Sequence, residues 1–188
     1  RFIKLFMILW KFGYNNWKVL DLSITLEAIA GRLSKMTNSK IEYHKVVDIL
    51  IFNNDQKLAL QLRAVNDKSY PDHWDFSAGG HIDKDESDEA AAKREIFEEL
   101  GVRGNLTFIS QEHFQYPSWN SSIMREVDAA IYVMKHNGPF KINPNEVQKV
   151  SFFSLPAIQE MVDNGEKIHP EFLLTWKKGI VTKGTKKL

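Results

Sequence analysis

Three glutamates in one short segment have the residue type and spacing that most directly indicate chemistry. Glu95, Glu98 and Glu99 stand at i, i+3 and i+4, so a helix would place their carboxylates on one face. Like charges this close repel one another, which makes the arrangement unfavourable for stability alone. A hard divalent cation removes that conflict, because Mg²⁺ prefers oxygen ligands such as carboxylates. The spacing therefore predicts a magnesium site.

Residues on either side of the three glutamates could support such a site. Arg94 adjoins them and Glu86 lies about two helical turns earlier, so an Arg–carboxylate pair could hold Glu95 in one rotamer. Gly79 and Gly80 place bare backbone ahead of the helix, where a carbonyl can reach a metal ion and amides can approach phosphate oxygens. The alternative is an ordinary solvated acidic helix face, which is common in proteins.

The surrounding segments predict the elements that would position these residues. A β-branched run at 46–52 and an alternating run at 57–63 flank turn residues and predict a hairpin. The sequence DFSAGGH predicts a short strand that ends at its two glycines. Residues 87–100 predict a helix with an acidic first turn, and Gly101 is well placed to end it in a left-handed conformation.

The rest of the chain continues with strand and helix patterns. Three later runs predict strands: NLTFISQEHFQY, MREVDAAIYVMK and VQKVSFFSL. Two further runs, LPAIQEMVDNG and PEFLLTWKKGI, predict helices. Because strands dominate the middle of the chain and helices flank them, we expect an α+β fold arranged as a layered α/β/α sandwich.

The composition of the chain argues against several classes of function. The net charge of its 188 residues is +1, so no bulk field favours nucleic acid or an anionic membrane as a partner. The chain has no cysteine, which removes disulfides, thiolate metal sites and cysteine nucleophiles, and favours a cytoplasmic setting. The apolar run at its start is shorter than the ~20 residues that a bilayer span needs.

Three regions are expected along the chain. Residues 1–40 carry apolar residues at helical spacing and predict an N-terminal helical extension that packs on the domain or contacts a partner. Residues 41–178 carry the predicted strands and the acidic helix and form the main domain. Residues 179–188 are basic and predict a flexible tail.

The acidic helix belongs to a longer motif with a fixed spacing. The motif reads, in order, Gly80, Glu86, Arg94-Glu95-Ile96, Glu98-Glu99 and Gly101-Val102. In this form it resembles a complete Nudix box, and the chain therefore resembles the Nudix superfamily. The resemblance implies that family's α/β/α sandwich with a mixed central sheet, and hydrolysis of a diphosphate linked to another group, X.

The Nudix resemblance also implies a role for each residue of the motif. Positions matching metal ligands or metal-facing groups are Glu98, Glu99, Glu95 and the Gly80 carbonyl, and Arg94 and Glu86 match a supporting pair. The implied metal is Mg²⁺, with Mn²⁺ as an alternative, and the implied partner is a small-molecule diphosphate bound by a monomer or homodimer. The family often draws a general base from outside the box. Glu146, just before a predicted strand, is the candidate here, although an ordinary turn-adjacent glutamate is the alternative.

A closer resemblance, over residues 43–95, is to the Nudix branch related to isopentenyl-diphosphate isomerase. A histidine before the first strand, an Arg then a Lys ahead of P-x-x-W, and GGH at the start of the box carry it. In those enzymes the residues matching Arg63 and Lys68 bind the diphosphate, so both are candidate substrate-binding residues; a solvated pair of loop cations is the alternative. Trp74 and His81 are further candidates for substrate contact, and each could instead be structural.

The isomerase pattern itself fails at particular positions. Those enzymes carry a catalytic cysteine where this chain has Gly79. Of their five metal ligands, the matching positions here are His44, His81, Glu126, Thr37 and Met124, so two are lost. The isomerases also tend to have an eroded Nudix box, whereas this one is whole. The differences together favour hydrolase chemistry on an isomerase-like frame.

The sequence therefore predicts a Mg²⁺-dependent hydrolase that cleaves a diphosphate linkage in a small nucleotide-like or related substrate. An isomerase-like enzyme and a non-catalytic metabolite-binding module are the alternatives. Aromatic residues near the box could stack on X or belong to the core: Tyr70, His73, Trp74, Tyr116 and Trp119. Nucleoside diphosphate derivatives, a phosphorylated cofactor and isoprenoid diphosphates all stay open as substrates.

Overall fold

The computed structural model of the protein describes residues 40–119 and 122–188. The predicted N-terminal helical extension lies outside the described residues, apart from Lys40 at its end. In the part of the chain that is described, no helix is both long enough and apolar enough to cross a bilayer.

The described residues form a mixed sheet and four helices. The strands are β1 (Ile41–Phe52), β2 (Leu58–Arg63), β3 (Trp74–Asp75), β4 (Ala78–His81), β5 (Thr107–Pro117), β6 (Met124–Lys135) and β7 (Val147–Phe153). The helices are α1 (Asp88–Leu100), α2 (Leu155–Asp163), α3 (Pro170–Lys177) and α4 (Ile180–Thr185).

The long strand β1 organises the sheet. The order across the sheet is β3-β2-β1-β6-β5, with β4 paired to β1 and β7 paired to β2. Strand β1 runs parallel to β6 over their full length and antiparallel to both β4 and β2. Because β4 takes residues 46–49 of β1 and β2 takes residues 51–52, one edge of β1 serves two partners. The expected mixed sheet is confirmed.

Helices cover both faces of the sheet because β1 alternates its buried side chains between two cores. Val47, Ile49 and Ile51 face the first core, which α1 completes with Ala91, Ala92, Ile96 and Leu100. Leu50 and Phe52 face the second core, which the C-terminal helices complete with Ile158, Phe172 and Ile180. Burial of apolar surface on both faces, at roughly 25 cal/mol per Å², drives this layering. The predicted α/β/α sandwich is confirmed.

Two local predictions differ from the structure. The segment DFSAGGH was expected to form one strand ending at its glycines, but it contributes only Asp75 to β3 and then forms β4, in which Gly79 and Gly80 pair with β1. Residues 179–188 were expected to be a flexible tail, but they contain α4, whose Ile180 and Val181 are buried in the second core. Of the lysines of that segment, Lys183 is exposed on α4, and Lys186 and Lys187 are exposed beyond its end.

Candidate active site

Helix α1 positions the acidic cluster, and both of its ends are capped. The Ser87 side chain accepts a hydrogen bond from the Ala90 N–H at 3.3 Å at the N-terminus. At the C-terminus Gly101 takes φ 65°, and its N–H donates to the Phe97 carbonyl. The predicted helix and its glycine stop are therefore confirmed, and the apolar stripe of α1 fixes which residues face the opposite side.

Glu95 and Glu99 project from successive turns of α1 into one cavity of about 350 Å³. Their exposed fractions are only 8% and 6%, which is low for carboxylates. Glu98 differs from them, because its side chain is 51% exposed and does not line the cavity. Two of the three predicted carboxylates thus enter the cavity, and the third lies on the solvent side of the same helix.

Arg94 links the carboxylates of Glu86, Glu95 and Glu98 to the strand that precedes the helix. Its guanidinium bonds both oxygens of Glu86, at 3.0 and 2.8 Å, in a bidentate pair. Its Nη1 donates to Glu95 at 2.7 Å and to Glu98 at 3.3 Å, and its Nη2 donates to the His81 carbonyl at 2.9 Å. These carboxylates raise the pKa of Arg94 and keep it charged. The proposed support of Glu95 by an Arg94–Glu86 pair is present in the geometry.

Glu99 is held at the inner wall of the cavity by two donors. The Gly79 N–H donates to its Oε2 at 3.1 Å, and Gln61 Nε2 donates to the same oxygen at 3.3 Å. Burial raises the pKa of Glu99 well above its usual range, and the nearby Glu95 raises it further. Burial also raises the pKa of Glu95, although Arg94 opposes that shift. Both carboxylates would gain from a cation in the cavity.

The donor set of this cavity fits a hard divalent cation. Its acidic groups, which include Glu95, Glu99 and Glu146, offer the carboxylate oxygens that such a cation prefers. Within residues 40–119 and 122–188, no three acidic or histidine side chains converge closely enough, as they stand, to hold a metal ion. Arg94 accounts for part of that spacing, because its guanidinium lies between Glu95 and Glu98.

The other predicted site residues divide between the cavity and the surface. Arg63, His81 and Glu146 line the cavity. Lys68 is exposed and lies outside the lining, because the loop that carries it turns outward. Trp74 also lies outside it: its ring packs edge-on against Phe153, with the Lys149 ammonium 5.0 Å from the ring centroid. These positions give Lys68 and Trp74 no contact with the cavity.

Arg63 is already engaged by protein groups. Its guanidinium pairs with Asp75 at 2.9 Å and with Asp67 at 2.6 Å, and its Nε donates to the Ser69 carbonyl at 3.1 Å. These contacts leave few donors for a phosphate. The geometry favours a role in ordering the loop after β2 and the cavity wall.

Of the residues that match the isomerase metal ligands, Thr37 lies outside the described residues, and Glu126 is not brought together with His44 and His81. His44 and His81 are adjacent, with Nδ1 of the first 3.0 Å from Nε2 of the second. Glu126 is on the opposite face of the sheet, where it approaches His113 at 3.3 Å. Alternation along β6 explains the separation, because Arg125 and Val127 face the cavity and Glu126 between them faces away.

Four further polar residues line the same cavity and were not predicted from the sequence. Asp48, His169 and Glu171 are buried and Arg125 is half-buried, and they surround Tyr116, for which the sequence predicted either stacking on X or a place in the core. The signals were weak: Asp48 interrupts the apolar run VVDILIF, and Glu171 begins a helix, where an acidic residue is expected anyway. These residues belong to β1, β5, β6 and the start of α3, which are close together only in the folded protein.

Burial sets the protonation of this group. The Tyr116 hydroxyl donates to Glu171 at 2.7 Å, and desolvation raises the pKa of Glu171 to about 7. Desolvation and the adjacent Glu171 raise the pKa of Asp48 well above its usual range. Desolvation lowers the pKa of His169 to about 4, so its ring is neutral at pH 7. His169 is therefore a neutral hydrogen-bonding group in the same cavity as the charged Arg125.

Comparison with known protein families agrees with the motif. The family model described as NUDIX domain matches residues 42–175, which span all of the strands and most of the helices above. The match begins and ends within three residues of the main domain expected from the sequence.

Two kinds of curated protein are similar to this chain. An uncharacterized Nudix hydrolase of Listeria monocytogenes is 39% identical over 66 residues, which are 35% of this chain and 39% of that protein. Isopentenyl-diphosphate Delta-isomerase of Pectobacterium atrosepticum is 30% identical over 138 residues, 73% of this chain and 76% of the isomerase. The chain thus spans about two fifths of the length of the Listeria relative and most of the isomerase.

Solved structures share the fold at low sequence identity. The MutT protein from Methanosarcina mazei matches with a TM-score of 0.61 and 22% identity, over 80% of this chain and 96% of its own. The Deinococcus radiodurans protein DR0079 matches with a TM-score of 0.61 and 18% identity, over 72% and 82%. These similarities show that the chain shares the fold of the two proteins.

Proposed function

This chain belongs to the Nudix family, and on that premise we propose that it is a Mg²⁺-dependent hydrolase that cleaves a diphosphate linkage in a small substrate. Nudix hydrolases act on small diphosphates, and the similar Listeria protein carries the name of a Nudix hydrolase. The substrate is a nucleotide-like or related compound in which a diphosphate joins a further group, X.

One observation carries the proposal: Glu95 and Glu99 enter the same cavity from one helix, while Arg94 holds Glu95 from the side. Burial of two carboxylates is costly unless a counter-charge is present. The bidentate Arg94–Glu86 pair fixes the position of Arg94, and Arg94 in turn holds Glu95. A set of groups this constrained supports cation binding better than a solvated acidic face does.

The residues then have distinct tasks. Glu95 and Glu99 hold Mg²⁺ inside the cavity, with Glu98 joining them from the rim and Gly80 supplying backbone beside Glu95. When bound, Mg²⁺ neutralises the diphosphate and lowers the pKa of the attacking water. Arg94 and Glu86 are positioning residues, since they act on Glu95 and Glu98 and not on the substrate.

Glu146 is the proposed general base. It lines the cavity across from α1, and its charge contributes to the raised pKa values of Glu95 and Glu99. Asn143 Nδ2 donates to its Oε1 at 2.8 Å, which leaves the second oxygen free of side-chain contacts among the described residues. A carboxylate so placed can accept a proton from a water that attacks phosphorus.

The similarity to an isomerase does not make isomerase chemistry the better proposal. The chain has no cysteine to protonate an alkene, and Gly79 stands where the resemblance would place one. Glu126 faces away from His44 and His81, so the matching metal ligands are not assembled. A protein that only binds a metabolite would not need carboxylates that are held in position by Arg94.

A substrate panel with Mg²⁺ tests the proposal, comparing the parent with Glu98→Gln. We expect the parent to release phosphate or a nucleoside monophosphate from at least one diphosphate, and the variant to lose that release. Rearrangement of isopentenyl diphosphate without phosphorus release would assign isomerase activity instead. Binding of a ligand by the parent without any turnover would assign a binding module.

A further inference from the structure

Arg125 is a cavity-lining cation for which the described protein provides no partner. Its Nε is buried and has no hydrogen-bond partner, and none of the ion pairs formed by residues 40–119 and 122–188 includes it. Its charge nevertheless reaches several cavity groups, since it affects the pKa values of His44, Tyr116 and Glu171. A cation that is partly removed from water without a counter-ion is unfavourable unless a ligand supplies the charge.

A second unpartnered nitrogen lies beside it. His44 Nε2 is also buried and without a partner, and it carries the proton in the tautomer in which His44 Nδ1 accepts from His81 Nε2–H. Strands β1 and β6 are parallel, with Arg125 paired to Glu42 and His44 paired to Val127, so the two side chains are neighbours on the cavity face. Two adjacent nitrogen groups without acceptors indicate a ligand group that brings oxygen acceptors.

This corner of the cavity is remote from Glu99 along the sheet. Glu99 bonds to Gly79, which pairs with Asp48, and Arg125 pairs with Glu42, six residues earlier on β1. Six strand residues span about 20 Å, and an arginine side chain recovers only part of that distance. The backbone of Arg125 therefore lies at the other end of the cavity from Glu99, and the charge of its side chain acts on Glu171.

The walls between these two ends are polar. The apolar side chains among the cavity residues are Val46, Phe76 and Val127, together with the ring of Tyr116, while Trp74 and Trp119 do not line it. Asp48 and Glu171 are buried side by side on the cavity wall, where their side chains share a hydrogen bond and Tyr116 donates to Glu171. Among the described residues the lining is thus mostly polar, which disfavours an isoprenoid chain.

From these contacts we propose that Arg125, with His44, binds a second anionic group carried by X, and that X is a hydrophilic, hydroxyl-bearing group. This inference rests on the proposed function, because it places the diphosphate of that substrate at Glu95 and Glu99. The anionic group is a phosphate or a carboxylate, since guanidinium binds either. Arg125 is thus a specificity-determining residue.

Two diphosphates test the proposal in parent protein, Arg125→Gln and Arg125→Lys. The first is 5-phosphoribosyl 1-diphosphate, whose polyol carries a further phosphate, and the second is isopentenyl diphosphate, whose X is apolar and uncharged. The dissociation constant of each is measured by calorimetry with Ca²⁺ in place of Mg²⁺, so that a divalent cation is present beside Glu95 and Glu99, and phosphate release is measured with Mg²⁺. Lys45→Gln is the matched control, because Lys45 lies on β1 next to His44 but is exposed on the opposite face.

We expect Arg125→Gln to weaken binding of the phosphoribosyl compound about 10- to 100-fold, the usual scale for a charge-assisted contact. Isopentenyl diphosphate should bind no worse, Arg125→Lys should recover part of the loss, and Lys45→Gln should change neither ligand. Equal losses for both ligands would overturn the proposal, because Arg125 would then contact the diphosphate itself. No loss for either, or no binding of the phosphoribosyl compound by the parent, would overturn it too.

The readouts separate this inference from the proposed function. If binding depends on Arg125 as expected but no phosphate is released with Mg²⁺, the anion subsite stands and the hydrolase assignment fails. If phosphate is released equally well by parent and Arg125→Gln from both ligands, the hydrolase assignment stands and the subsite fails.

Discussion

A Cβ atom built on Gly80 would lie 2.2 Å from Oε1 of Glu95. The Glu95 carboxylate therefore occupies the space that a side chain at position 80 would need. Glycine at this position leaves room for Glu95, which Arg94 holds from the helix.

Gly80→Ala should displace the Glu95 carboxylate and reduce phosphate release by about 100-fold, the scale expected when a metal-binding group loses its position. Steady-state kinetics with Mg²⁺ on a diphosphate that the parent turns over measure this. Gly104→Ala is the control, because its added Cβ meets the flexible Met134 methyl at 2.7 Å, which can move aside. Full activity in Gly80→Ala would mean that the Glu95 position does not matter.

Arg94→Lys should lower kcat about 10- to 100-fold, because a lysine cannot form a bidentate pair with Glu86 and hold Glu95 at the same time. The KM should change less than kcat, since Arg94 acts through the carboxylates. Lys93→Met is the matched control on the same helix, since Lys93 pairs only with the exposed Glu89. A lysine variant with parental kcat would contradict the positioning role.

Glu99→Gln should separate catalysis from stability. Burial raises the pKa of Glu99, so its ionised form is costly in the folded protein, and the neutral amide removes that cost. We expect the variant to melt at the same or a higher temperature than the parent in metal-free buffer, to lose the Mg²⁺-induced rise in Tm, and to lose activity about 100-fold or more. Thermal melts with and without Mg²⁺ measure both effects, and an unchanged Mg²⁺ shift would exclude Glu99 as a ligand.

Glu171→Gln should flatten the pH dependence of stability between pH 4.5 and 7. The pKa of Glu171 rises from 4.5 to about 7 on folding, so its contribution to stability is present below pH 4.5 and is lost as pH rises towards 7. Urea unfolding at several pH values measures the slope, with Glu89→Gln, an exposed carboxylate, as the control. Identical slopes in parent and Glu171→Gln would contradict the shifted pKa.

The acidic helix and the strands around it were predictable because their signals are local. The i, i+3, i+4 spacing of the glutamates, the Ser87 cap and the Gly101 stop each depend on residues within one or two turns. The α/β/α layering also followed from the alternation of strand and helix patterns. Residues 1–39 lie outside the described structure, so the helix expected there stays a prediction.

The far side of the cavity was not predictable because it is assembled from distant segments. Glu171 meets Tyr116 across 55 residues of sequence, and Arg125 reaches the cavity only because β6 presents its odd-numbered residues there. The tail was misjudged for a related reason: its lysines dominate the composition, while two apolar residues, Ile180 and Val181, decide the packing. Lys68 and Trp74 matched a family pattern, but a loop position and an edge contact place them outside the cavity.

Binding of a divalent ion by the paired carboxylates is tested most directly by titration with Mn²⁺, followed by electron paramagnetic resonance of the free ion. The account predicts that the parent binds at least one Mn²⁺ that Mg²⁺ displaces. It predicts that the Glu95→Gln/Glu99→Gln double variant, shown to be folded by its circular dichroism spectrum, binds no Mn²⁺ at that site. A parent that takes up no Mn²⁺, or a double variant that binds it as tightly as the parent, would contradict it.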